Sequence, residues 1–329
     1  MTSVQSILLA VPALLASFGA VADIQQRIIG GVESSIDRWP SMAALVAASN
    51  GTATLYQRQF CGGNLIDERW VLSAAHCFFQ EDTLTSGWTQ IPAEAIRVVL
   101  GTDNLLDDAE ELVVTNIITH PDYEPGNNSS PNDIALIELA NTSEVPAARV
   151  NTGSIATGTE AVVMGWGATR YDPFTQEPSN FPTFLREVEV PVVSNSTCNA
   201  SSSYSGLITS TQMCAGEQAG GKDSCSGDSG GPLMIEENGE YVQAGIVSFG
   251  NGCALANYYG VYTRVSSFVD WIDDYVGNGI SGSGVPSGGS DNRDKSDGLG
   301  AGFIGLYAML LLAGLLRGRR PGKSYRSKP

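Results

Sequence analysis

The chain predicts an all-β fold, sandwich or barrel, on three observations. Short β-branched runs such as "IRVVL" (96–100) and "AVVMGW" (161–166) have the length and composition of strands. The 38 glycines supply turns between such runs. Once its two unusual ends are set aside, roughly 250 residues remain, a size at which all-β chains fold as one domain. No internal repeat is apparent, and periodicity alone leaves sandwich and barrel both open.

Taken in order, the chain opens with an apolar run at 7–20, too short to span a bilayer, that ends at Ala20-Val21-Ala22. The A-x-A pattern predicts a signal peptide over 1–22, although no Lys or Arg precedes the run. Its removal leaves a short pro-segment, 23–27, ending in Arg27. The body follows over 28–276. A Gly/Ser-rich stretch then opens a flexible linker, 277–298, whose end is charged. Residues 299–316 carry no charge, and as a helix they would rise about 27 Å, close to the roughly 30 Å of a hydrocarbon core. Six Lys and Arg follow in the tail, 317–329, a positive-inside signal. The expected arrangement is one C-terminal transmembrane helix, body outside and basic tail in the cytoplasm. The same features resemble the GlyGly-type sorting tails of some bacterial secreted proteins, which are removed during export, so anchor and sorting tail both stand.

Charge and cysteine narrow the partners and the compartment. The body holds 9 Lys and Arg against 31 Asp and Glu, a net charge of −22. Such a surface repels phosphates, which excludes nucleic acid as a partner. Six cysteines allow fifteen pairings and sequence does not choose among them. With no CxxC pair and only two histidines, disulfides are expected rather than a metal site, and with them an oxidising, extracytoplasmic compartment. Acids at 103, 107, 108, 110 and 111 lack clean calcium-loop spacing, so neither metal nor cofactor is expected. Asn50, Asn127, Asn128, Asn141, Asn195 and Asn199 begin N-x-Ser/Thr patterns, which in an Asn/Ser-rich chain read as compositional.

The chemistry concentrates in "GDSGGP" (227–232), where Ser229 sits between glycines and after an acid. A serine hydroxyl is a poor nucleophile and needs a base and an orienting acid. His76 in "LSAAHC" (72–77) and Asp133 in "NDIALIEL" (132–139) are the candidates, since imidazole titrates near neutrality. The order His, Asp, Ser is one of those in which the hydrolytic triad occurs.

These motifs, with "RIIGG" (27–31), "CGGNLI" (61–66), "HPDY" (120–123), "GWG" (165–167), "MCAG" (213–216), "DSCSGDSGGP" (223–232), "GIVSFGNGCA" (245–254) and "GVYTRVSSFVDWI" (260–272), resemble a trypsin-type member of the chymotrypsin family of serine proteases. The resemblance covers roughly 28–276. It implies two antiparallel six-stranded β-barrels with the site between them and a C-terminal α-helix over 265–276. It also implies the disulfides Cys61–Cys77, Cys198–Cys214 and Cys225–Cys253. His76, Asp133 and Ser229 become the catalytic triad, with an oxyanion hole at the N–H groups of Gly227 and Ser229. Asp223 becomes the floor of a pocket for an Arg or Lys side chain, with Gly250 and Gly260 as its small walls. Phe249 replaces the tryptophan more usual beside that pocket. Ser248 and Gly250 are expected to hold an extended substrate strand by backbone hydrogen bonds. Cleavage after Arg27 is expected to free the amine of Ile28 to pair with Asp228, making the uncut chain a zymogen. The implied activity is peptide hydrolysis after Arg or Lys, with peptides and an activating protease as partners. The alternative is a non-catalytic homologue acting as a binding module.

Overall fold

A computed structural model describes residues 28–277, apart from 50, 83–85 and 128, together with residue 280. The expected signal peptide, the pro-segment with Arg27, most of the linker, the 299–316 span and the basic tail lie outside the described residues. Among the described residues no helix is long and apolar enough to cross a membrane.

Six strands close the first barrel: β1 (Met42–Ala47), β2 (Gln59–Asp67), β3 (Trp70–Ser73), β4 (Ile96–Val99), β5 (Glu111–Thr119) and β6 (Ala135–Leu139), in ring order β1-β2-β3-β6-β5-β4. The second is built from β7 (Glu160–Gly165), β8 (Arg186–Val193), β9 (Gln212–Ala215), β10 (Pro232–Glu237), β11 (Glu240–Phe249) and β12 (Gly260–Arg264). Its neighbours run β8-β7-β10-β11-β12-β9, and a further β8–β9 pairing closes the ring. Numbered from its own first strand, each ring has the same order, and every pairing within the rings is antiparallel. The sequence shows no repeat by eye because hydrogen-bond topology, not residue identity, is what recurs.

Strand alternation explains why the barrels stay together. In β1, Ala43 and Leu45 face the first-barrel core, while Met42, Ala44 and Val46 join a second cluster. In β7, Ala161 and Val163 face the second-barrel core, while Val162 and Met164 enter that same second cluster. Successive side chains point to opposite faces, so a strand apolar on both faces serves its own barrel and the seam at once. Each Val or Leu fully buried this way contributes about 1.5–3 kcal/mol. A buried Asn64–Gln243 side-chain hydrogen bond of 2.9 Å adds a polar link between β2 and β11.

The C-terminal helix begins later than expected. Residues Val265–Ser267 form a 3-10 turn, and the α-helix runs over Val269–Val276. Phe268, at φ −125° and ψ 12°, breaks the helical path between them. Gly277 ends the helix in the left-handed conformation (φ 75°), donating to Asp273 O at 3.1 Å. Ile272 and Val276 pack the helix into the first-barrel core.

Candidate active site

His76 lies in a 3-10 turn, Ala75–Phe78, that follows β3. The turn is fixed covalently, since Cys77 is bonded to Cys61 of β2. The other bonds are Cys198–Cys214 and Cys225–Cys253, so all three pairings implied by the resemblance are present and no described cysteine is free. Among the described residues, Cys61, His76 and Cys77 form the single cluster close enough for a metal. Both sulfurs are already in a disulfide, which removes them as thiolate ligands.

Asp133, just before β6, is buried and holds His76 from two directions. The His76 backbone N–H donates to Oδ1 at 2.8 Å, and ring Nδ1 lies 2.8 Å from Oδ2. Since the carboxylate only accepts, Nδ1 carries the proton, which leaves Nε2 free to take one. The second barrel completes the grip. Ser248 Oγ donates to Asp133 Oδ2 at 2.6 Å, and Thr263 Oγ1 to Asp133 O at 2.7 Å. Ser248 is placed by a bulge, for the β11–β12 register shifts between Val247 and Phe249. Its hydroxyl is a contribution that the sequence reading missed, having assigned it backbone bonds alone.

Electrostatics follow from this geometry. Burial by itself would lower the His76 pKa, but the charge of Asp133 and its hydrogen bond outweigh it, leaving the imidazole above its ordinary 6.5. Burial likewise opposes ionisation of Asp133, and the His76 charge with bonds from His76 and Ser248 overcomes it, holding the carboxyl below 3.8. Both partners shift in the direction of an ion pair.

Ser229 stands on the 227–231 loop ahead of β10. Gly62 N donates to Ser229 O at 2.7 Å, and Gly230 N to Val247 O at 2.8 Å. Gly227 takes φ +99°, a region costly for any side chain. Its carbonyl accepts Gln59 Nε2 at 2.9 Å, a tie from the start of β2 that no local motif announces. Among the described residues, the N–H groups of Gly227 and Ser229 have no acceptor. Two unpaired donors, one of them the serine's own N–H, can bind an oxyanion. Ser229 and His76 line one cavity of about 410 Å³, shared with Asp133, Ser248, Gly250 and Gly260.

Asp223 is buried at the wall of the same cavity. Ala254 N donates to its Oδ2 at 2.9 Å, whereas Oδ1 has no hydrogen-bond partner among the described residues. Burial pushes its carboxyl up to about 7, against backbone bonds from Ala254 and Ser224 and with help from the charge of Asp228. Gly260 faces it, and a Cβ there would fall 2.7 Å from Oδ1. Only glycine keeps that oxygen open. Tyr123 and Tyr171 also line the cavity, and the sequence reading named neither as a wall residue.

Asp228 is wholly buried and accepts from Gly167 N at 2.7 Å and Cys225 N at 2.9 Å. Burial raises it to about 7 despite those bonds. Ile28 is buried in the second-barrel core, and the next residue, Ile29, bridges to Asp223.

Comparison with known proteins agrees with the geometry. The family profile described as "Trypsin" matches residues 28–272. The chain is 37% identical to "Trypsin" of Sus scrofa, across 77% of this chain and 97% of that protein. It is 38% identical to "Cationic trypsin-3" of Rattus norvegicus, covering 77% and 91% respectively. "Serine protease 1" of Homo sapiens is 36% identical, over 80% of this chain and 98% of its own length.

Proposed function

This chain belongs to the trypsin family of serine proteases, hydrolases of peptide bonds, and on that premise we propose that it cuts polypeptides after arginine or lysine. Ser229 attacks the carbonyl while His76 takes its proton and later returns it to the leaving amine. Asp133 keeps the imidazole in the right tautomer and stabilises the imidazolium. The N–H groups of Gly227 and Ser229 bind the oxyanion, a role in which one donor is worth about 3 kcal/mol. The acyl-enzyme is then hydrolysed by the reverse proton route.

The observation that carries the specificity is the free Oδ1 of buried Asp223 in the cavity that Ser229 lines. A buried carboxylate with an unused oxygen is costly until a cation reaches it. A guanidinium or ammonium on a long stem answers that cost. The test is turnover of arginyl, lysyl and phenylalanyl esters. Asp223→Ser is expected to lower kcat/KM for the basic esters at least a hundredfold and leave the phenylalanyl ester within a few-fold. Faster turnover of the phenylalanyl ester by the parent protein would refute the reading.

Activation by cleavage after Arg27 has separate support. Ile28 is buried with φ +46°, a left-handed angle that strains a β-branched residue. Cleavage after Arg27 would turn the Ile28 nitrogen into an ammonium. That ammonium is a natural partner for buried Asp228, which among the described residues has backbone donors and no cation. Arg27→Gln is therefore expected to give a folded protein with little activity, checked by arginyl-ester turnover beside circular dichroism. The three disulfides suit work outside the cytoplasm.

A further inference from the structure

The hairpin that follows Gly167 lies outside every motif that carries the resemblance, so its chemistry belongs to this chain. Its strands, Arg170–Asp172 and Glu177–Ser179, pair antiparallel with Tyr171 opposite Pro178. Alternation turns Tyr171 inward: it is half-buried, whereas Arg170 and Asp172 beside it are exposed. Both ends of the hairpin are fixed. At the tip, Asp172 Oδ1 accepts Phe174 N at 2.8 Å, and Asp172 O accepts Gln176 N at 2.7 Å. At the root, Thr169 Oγ1 donates to Asn180 O at 2.6 Å, and Ala168 N to Ser226 O at 2.8 Å.

That root ties the hairpin to the cavity holding Asp223, since Ser226 lines it. Tyr171 lines the same cavity and meets a second segment of its rim. A Cβ on Gly252 would fall 2.8 Å from Tyr171 Cε1 and 3.1 Å from Cζ, so the ring lies directly against that glycine. Cys225 and Cys253, the chain neighbours of Ser226 and Gly252, are disulfide-bonded. The hairpin therefore leaves from one end of this bridge and closes its ring on the other. Asp223 can hold a charge in the cavity, but arginine and lysine also bring a polymethylene stem that a carboxylate does not stabilise. An aromatic wall does.

We propose that Tyr171 is a specificity-determining residue: its ring covers the aliphatic stem of the side chain before the cut, so the pocket selects long unbranched cations by shape as well as by charge. Because the hairpin is tied at tip and root, the wall stands ready before substrate arrives, and little ordering cost opposes binding. The proposal rests on the reading of Asp223 as the seat of a basic side chain.

The test measures inhibition by n-butylguanidinium and methylguanidinium, which share a cation and differ in stem, beside kcat and KM for an arginyl anilide. Tyr171→Ala is expected to raise Ki for n-butylguanidinium about tenfold, the effect of uncovering about two methylene groups, and to leave methylguanidinium within about twofold. The anilide is expected to lose through KM and not kcat, and Tyr171→Phe to keep the parent values. Unchanged n-butylguanidinium binding in Tyr171→Ala, or equal weakening of both cations, overturns the proposal. Circular dichroism checks the fold, and Tyr171→Thr, which suits a strand, takes the place of the alanine variant if that one does not fold. If neither cation inhibits the parent protein, basic specificity fails instead. KM for a phenylalanyl anilide then decides the wall independently: a rise in Tyr171→Ala supports it, and no change overturns it.

Discussion

At Asp223 and His76 the same burial leads to opposite outcomes, because His76 has an oppositely charged partner and, among the described residues, Asp223 has none. His76 is raised above 6.5, so the neutral imidazole that accepts a proton accumulates only above that value. The acid limb of kcat/KM is expected to have its midpoint above pH 6.5, and Asp133→Asn to move it down. For stability the sign is separate. A raised imidazole stabilises the fold fully below 6.5 and loses that contribution as pH rises through the raised value, while Asp133, held low, contributes above 3.8 and loses it on acidification below its depressed value. Asp223 runs the other way, since its folded value near 7 exceeds 3.8 and a rise in pH across that window costs stability in the empty protein. A cationic ligand needs the carboxylate, so benzamidinium affinity is expected to rise with pH towards about 7 and then level. Titration calorimetry between pH 5 and 8 checks this, and a pH-independent Kd contradicts it.

At the scale of elements, the segment leading from Ile28 into β1 is held by a polar cluster instead of a core. Its short strand Val32–Glu33 pairs with Arg186 and Glu187 at the start of β8. Glu187, nearly buried, accepts Ser34 Oγ, Arg38 Nη1 and Trp39 Nε1, each at 2.5 Å, and Arg186 reaches Glu33 at 3.0 Å. Glu187→Leu strands three donors, and a loss of about 2 kcal/mol is expected from the unsatisfied groups. Arg38→Met should cost less than about 1 kcal/mol, because that side chain is half exposed. Urea midpoints with unchanged slopes would separate the two. None of this was legible in the sequence, where Ser34 and Glu187 stand 153 residues apart. His76, Asp133 and Ser229 were legible because each lies in a short local motif. Gln59 and the Ser248 hydroxyl were not, since each acquires its partner only when distant loops meet. The later helix start has the same cause, as the Phe268 dihedrals answer to packing on the first barrel.

For the whole molecule, the division of labour between the barrels is the governing feature. His76 and Asp133 belong to the first and the 227–231 loop to the second, with apolar residues of β1, β7 and β10 filling the seam. Sequence composition alone identified the β class and the acidic body, but the closure of each sheet depends on pairings such as β8 with β9, fixed by topology across long intervals. Asp133 straddles this seam, since its ring partner comes from one barrel and Ser248 and Thr263 from the other. A slip of one half against the other would therefore break the Ser248 and Thr263 bonds to Asp133. A peptide held by both halves, as the proposed function implies, would resist such a slip.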